Sequence, residues 1–159
     1  MQLSKPQRRV ADDPARFRVL VTGRRFGKTT LAIRELCYRA KEPNKVCWYV
    51  APSYRQAKQI AWVKLKQILK DLRWIRKVNE AELTIELKNK SRICLRGADN
   101  KDSLRGVGID FIVLDECADI DEQAWSEVLR PTLSDTKGSA VFAGTPKGMN
   151  WFHDLYQRG

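Results

Sequence analysis

Phe17-Arg18-Val19-Leu20-Val21, followed at once by Thr22-Gly23-Arg24-Arg25-Phe26-Gly27-Lys28-Thr29, decides how this 159-residue chain is read. The first five residues are a mostly apolar run, the pattern of a buried strand. The rest reads as a phosphate-binding loop that opens a helix. Glycine lets the backbone close around phosphate oxygens with its N–H groups pointing inward. Lys28 supplies a point charge for β- and γ-phosphates, and the Thr29 hydroxyl a ligand for Mg²⁺. A helix starting there turns its positive end toward the anion. The strict spacing G-x-x-x-x-G-K-[ST] would put glycine at position 22, whereas Thr22 stands there and Gly23 follows. The candidate nucleotide-binding set is Gly23, Arg24, Arg25, Phe26, Gly27, Lys28, Thr29 and Thr30. The plain alternative is a glycine-containing surface turn with a solvated lysine.

A second segment completes such a site. Ile109-Asp110-Phe111-Ile112-Val113-Leu114-Asp115-Glu116 reads as an apolar strand ending in two acids. In P-loop NTPases a carboxylate at the tip of a neighbouring strand holds Mg²⁺, and one beside it can polarise the attacking water. Asp115 and Glu116 take those roles in that order. Adjacent strand residues point to opposite faces, so the two acids need not compete for one position. The alternative is an ordinary charged strand end.

The remaining pattern alternates strands and helices. A helix is expected from Lys28 to about Lys41, a second buried strand over Val46–Ala51, and a long helix capped by Ser53 and reaching about Leu72. Leu83–Leu87 and Arg92–Arg96 alternate with period two and read as a hairpin. A helix over 122–129 is expected to stop near Pro131, Ser139–Ala143 to form a further strand, and Asn150–Tyr156 a final short helix. Strands alternating with helices imply right-handed crossovers and a mostly parallel sheet covered on both faces. Ligands of such sheets sit at the carboxyl ends of the strands, where the Lys28 loop, Asp115-Glu116 and Gly144-Thr145 all fall. Trp48, Tyr49 and Trp62 are expected in the core. The stripe Arg55, Lys58, Lys64, Lys66 and Lys70 reads as a solvated helix face, with a DNA track as the alternative.

Bulk properties bound the rest. One domain with a substantial core fits this length. The net charge is 30 − 19 = +11, which favours a polyanionic partner, with a merely basic surface as the alternative. No apolar run approaches the roughly 18 residues that span a bilayer, and the N-terminus has no apolar signal core. Four cysteines without a CxxC spacing, beside a single histidine, read as buried reduced thiols of a cytosolic protein rather than a zinc cluster.

Taken together, these segments resemble the phage terminase large subunit, the motor that packages DNA into capsids. The resemblance rests on the loop Thr22–Thr29, Ala51-Pro52-Ser53-Tyr54-Arg55-Gln56-Ala57, Arg96-Gly97-Ala98-Asp99 through Ser103-Leu104-Arg105-Gly106, the Walker B segment Val113-Leu114-Asp115-Glu116, and Ala143-Gly144-Thr145-Pro146-Lys147-Gly148. It spans nearly the whole chain, and a Walker A loop without its first glycine is common in that family. It implies an ASCE-type P-loop NTPase fold that hydrolyses ATP with Mg²⁺ to translocate double-stranded DNA. It also implies a homo-oligomeric ring on a capsid portal, a small terminase subunit as partner, no membrane, and the cytoplasm of a bacterial host. Arg24 would touch phosphates and sense nucleotide state. Arg105 would be a finger reaching a neighbouring subunit's ATP, Thr145 would couple hydrolysis to movement, and Gln7 would read the adenine edge. For Arg24 and Arg105 the alternative is a solvated basic loop, and for Thr145 a turn residue before proline. Residues 1–159 are expected to form one ATPase domain, truncated before the family's C-terminal nuclease domain and without nuclease activity. Two other readings stay open: a catalytically idle fragment that binds nucleic acid or a protein partner, and a helicase-like ATPase.

Overall fold

In the computed structural model, residues 17–21, 27–105, 108–134 and 136–144 are described. They form a seven-stranded sheet of order β1-β7-β6-β2-β5-β4-β3. The strands are β1 Phe17–Val21, β2 Val46–Ala51, β3 Ile75–Asn79, β4 Thr84–Leu87, β5 Arg92–Gly97, β6 Phe111–Leu114 and β7 Ser139–Gly144. β1, β7, β6, β2 and β5 run parallel, so all five carboxyl ends share one edge of the sheet. β4 pairs antiparallel with β5, and β3 antiparallel with β4.

The helices explain why the parallel strands are apolar on both faces. α1, Lys28–Ala40, packs on one face with α2, residues 54–71. Ile33, Leu36, Trp62, Leu65 and Leu69 meet Cys47, Tyr49 and Val113 there. α3, residues 122–134, covers the other face, where Trp125, Val128 and Leu129 meet Trp48, Val50, Ile112, Leu114 and Phe142. Residues of β2 and β6 thus alternate between two cores, which is why each strand reads as an unbroken hydrophobic run. A buried ion pair, Arg18 to Glu35 at 3.2 Å, ties β1 to α1.

Local chemistry sets the helix boundaries. Ser53 is the N-cap of α2 and accepts a hydrogen bond from the Gln56 N–H at 3.1 Å, as expected. α2 carries a π-helical turn at Lys58–Trp62.

Three expectations are corrected. The expected pattern omits β3: Ile75-Arg76-Lys77-Val78-Asn79 is a polar edge strand whose charged side chains conceal the alternation. α3 does not stop before Pro131. Its turns widen to π geometry over Ala124–Leu129, with the Arg130 N–H on the Trp125 carbonyl, and the helix runs on to Ser134. That wider turn removes the tight i−4 packing into which a proline ring would otherwise clash. Finally, β6 ends at Leu114, so the acids lie beyond the strand. The period-two argument for separating them does not apply.

Candidate nucleotide-binding site

α1 begins immediately after Gly27, whose φ of 80° and ψ of 39° are left-handed. Glycine adopts this conformation without a Cβ penalty, and here it turns the chain from loop to helix. The Gly27 carbonyl accepts from the Leu31 N–H at 3.1 Å, closing the first helical turn. Lys28, Thr29 and Thr30 therefore occupy the first turn of a 13-residue helix at the carboxyl edge of the sheet. Thr30 Oγ1 accepts a hydrogen bond from Lys64 Nζ of α2 at 2.9 Å, so this lysine of the basic stripe is tied to the site-bearing helix. Lys66 is also engaged: it pairs with Glu80 at 2.7 Å. Arg55, Lys58 and Lys70 remain on the exposed face.

Asp115 and Glu116 follow β6, two strands from β1 with β7 between. The Asp115 N–H donates to the Val50 carbonyl of β2 at 2.8 Å, fixing the backbone where the strand ends. Asp115 is 2% exposed. Tyr49 Oη donates to Asp115 Oδ2 at 2.6 Å, and the Glu116 N–H donates to Oδ1 at 2.9 Å. These two donors offset the cost of burying a carboxylate. Burial, then the Asp115 charge and hydrogen bond, hold the Tyr49 hydroxyl pKa well above its ordinary value, so the phenol stays a donor. Burial, followed by Asp115, likewise pushes up the Cys117 thiol.

Glu116 sits at φ 49° and ψ 48°, a left-handed conformation that side-chain-bearing residues rarely adopt. This backbone turn, rather than strand alternation, separates the two acids. Asp115 is buried and held, whereas Glu116 is half-buried. The division suits one carboxylate that holds a metal and one that meets a water molecule.

Arg105 lies elsewhere along the same edge. It follows the 3₁₀ turn Lys101–Leu104, which Leu104 anchors in the second core. Its side chain is 72% exposed, with Nε 3.6 Å from Asp102. β5, which leads into this segment, is separated from β1 by three strands. Gln7, Gly23, Arg24, Arg25, Phe26, Thr145 and the expected helix over 150–156 lie outside the described residues. Trp48, Tyr49 and Trp62 are core residues, as expected. The contact at the candidate site missed from sequence is that of Tyr49, an aromatic hydroxyl within an otherwise apolar strand.

The family model for the N-terminal part of the terminase large subunit, T4likevirus-type, matches residues 19–159. The chain belongs to this family. The terminase large subunit of Escherichia phage T5 is 36% identical over 152 residues, covering 93% of this chain and 34% of its own length. That of Thermus phage G20c is 31% identical over 165 residues, covering 91% of this chain and 34% of its own. The chain thus spans about a third of the length of these curated relatives. Among solved structures, the large terminase ATPase domain of Thermus phage P74-26 superposes with a TM-score of 0.88 at 29% identity, covering 99% of this chain and 70% of that one. A large terminase from another thermophilic bacteriophage, solved in complex with ADP, shares the fold with a TM-score of 0.83 at 19% identity, covering 99% of this chain and 42% of that one. Family membership decides against the helicase-like reading, and the P-loop-type α/β fold is that of the large terminase ATPase domains. No helix among the described residues is long and apolar enough to cross a membrane.

Proposed function

We propose that this chain is an ATP-hydrolysing domain of a phage DNA-packaging motor. The observation that carries this reading is the left-handed Gly27 cap at the start of α1, at the same sheet edge as the buried Asp115 and the half-buried Glu116. The likeness to a P74-26 domain described as an ATPase supports it.

Lys28 is assigned to the β- and γ-phosphates, with the loop Gly23–Gly27 around them and the N-terminus of α1 behind. Thr29 and Asp115 are assigned to Mg²⁺. Both offer only oxygen, the donor that a hard cation takes. Asp115 is an ionisable carboxylate at the strand end, with one oxygen accepting from Tyr49 and the other from the Glu116 N–H, and such an acceptor-only group suits a metal contact made directly or through water. When bound, Mg²⁺ neutralises charge developing on the phosphates. Glu116 accepts a hydrogen bond from the attacking water and orients it toward the γ-phosphate. Arg105, whose side chain is exposed, is assigned to a neighbouring subunit's nucleotide. Arg24, Thr145 and Gln7 keep the roles that the resemblance implies. The motor reading further comprises double-stranded DNA as the translocated substrate, a homo-oligomeric ring on a capsid portal, a small terminase subunit, and the bacterial host cytoplasm. The charge of +11 suits a polyanionic track.

The test is binding of a fluorescent ATP analogue to the purified chain with Mg²⁺, beside Lys28→Ala. Micromolar binding that is lost in the variant is the expected result. A folded wild-type chain that binds no nucleotide would overturn the reading in favour of an idle nucleic-acid- or partner-binding fragment.

A further inference from the structure

We infer that Tyr49 is a positioning residue for the metal-holding carboxylate: its hydroxyl fixes Asp115 in the orientation that meets Mg²⁺. The inference rests on the nucleotide-site reading above and adds a residue to it.

Strand register places Tyr49 opposite Val113 on β6 and Leu95 on β5, at the centre of the parallel sheet. Its ring is fully buried in the core beneath α1 and α2. From there the hydroxyl reaches the residue two places beyond its cross-strand neighbour and meets Asp115 Oδ2 at 2.6 Å. The same carboxylate receives the Glu116 N–H on its other oxygen, and its backbone N–H is held by Val50, the residue after Tyr49. One strand thus supplies a backbone acceptor and a side-chain donor to one aspartate.

A hydrogen bond to each carboxylate oxygen helps to define the plane of the group, and with it the directions in which its lone pairs point. Without the phenol, Oδ2 loses its strand-borne donor, and the restraint on rotation about the Cβ–Cγ bond is weakened. The ring alone would satisfy the core, since Phe111 and Phe142 are buried in the same sheet without a hydroxyl. The oxygen on Tyr49 therefore answers to Asp115 rather than to packing. Partners that orient metal ligands in this way typically change metal affinity by about 10- to 100-fold.

The experiment measures how much Mg²⁺ gives half-maximal enhancement of fluorescent ADP binding, in wild type and Tyr49→Phe. Nucleotide affinity in EDTA and the far-UV circular dichroism spectrum are followed in parallel. We expect Tyr49→Phe to fold, to bind nucleotide unchanged in EDTA, and to need about tenfold more Mg²⁺. Replacing Tyr49 with 4-aminophenylalanine, which restores a donor at the same position, should return the midpoint toward wild type. In an Asp115→Asn background, Tyr49→Phe should add no further shift. A Tyr49→Phe midpoint that overlays wild type, or shifts that simply add in the double variant, would overturn the role of Tyr49 and leave the nucleotide site intact. A wild-type chain showing no Mg²⁺-dependent enhancement would overturn the site reading and this inference with it. If Tyr49→Phe does not fold, the 4-aminophenylalanine protein decides: a midpoint displaced tenfold despite a restored donor overturns the inference, and a wild-type midpoint upholds it.

Discussion

Glu116 holds a backbone conformation that costs a side-chain-bearing residue about 1–2 kcal/mol. Such a cost persists only where the surroundings impose it, and here the preceding residue is fixed on both sides by Val50 and Tyr49. The turn leaves Glu116 half-buried beside a carboxylate already engaged elsewhere. If Glu116 orients the attacking water, Glu116→Gln should bind ATP with wild-type affinity and lose about 10²–10⁴-fold in turnover, the range for a positioned base. Single-turnover hydrolysis with saturating ATP checks this, and retained turnover would remove Glu116 from the chemistry. At this scale the sequence is a partial guide. Gly27 and the acids stand where glycine and strand-end patterns put them, because those signals are local. The Tyr49–Asp115 contact joins residues 66 apart through β-sheet register, and no local pattern encodes register. The left-handed turn at Glu116 is equally hidden, since glutamate is not a residue that announces one.

At the scale of elements, boundaries set by local chemistry are legible and those set by packing are not. Ser53 caps α2 because its hydroxyl reaches the Gln56 N–H, and a serine before an apolar-periodic stretch advertises that. Pro131 misleads because a proline normally ends a helix, whereas the π-helical turns before it make room for the ring. β3 is hidden because an edge strand needs only one buried flank. The join between β5 and α2 depends on Gly97. A Cβ there would lie 2.0 Å from the Tyr54 backbone nitrogen and 2.5 Å from the Ser53 carbonyl carbon. Backbone atoms at a helix start cannot give way as a side-chain tip can. Ser53→Ala should therefore cost about 1 kcal/mol, the usual worth of an N-cap. Gly97→Ala should cost more, toward the upper end of the roughly 1–3 kcal/mol typical of overpacking, because it displaces the cap and the helix start together. Urea unfolding of both variants tests the order, and a Gly97→Ala protein as stable as wild type would contradict the geometry.

For the whole molecule, a mostly parallel sheet covered on both faces follows from alternating strands and helices, whereas the strand order does not. It requires β7, last among the described strands, to insert between β1 and β6, which only the pairing itself reveals. The two cores formed by this arrangement enclose all four cysteines as free thiols. Burial, opposed only in part by Arg34, pushes Cys37 up to about 11, and burial with the nearby Asp110 charge pushes Cys47 up to about 12. An unfolded chain ionises these thiols near their ordinary value of 9.0, so above that pH it holds fewer protons than the folded chain. Stability from the two groups is then fully present below about pH 9 and drains away as pH rises toward their folded values. Each thiol contributes a loss of about 1.4 kcal/mol per pH unit within that window. Urea unfolding at pH 8, 9, 10 and 10.5 should show stability flat to about pH 9 and falling thereafter. The fall should be shallower in Cys37→Ala and Cys47→Ala, whatever their lower starting stability. Parallel curves for wild type and both variants would mean that other groups drive the alkaline loss. Until unfolding begins, both thiols should resist alkylation, because the reactive species is the thiolate and the folded cores keep it protonated.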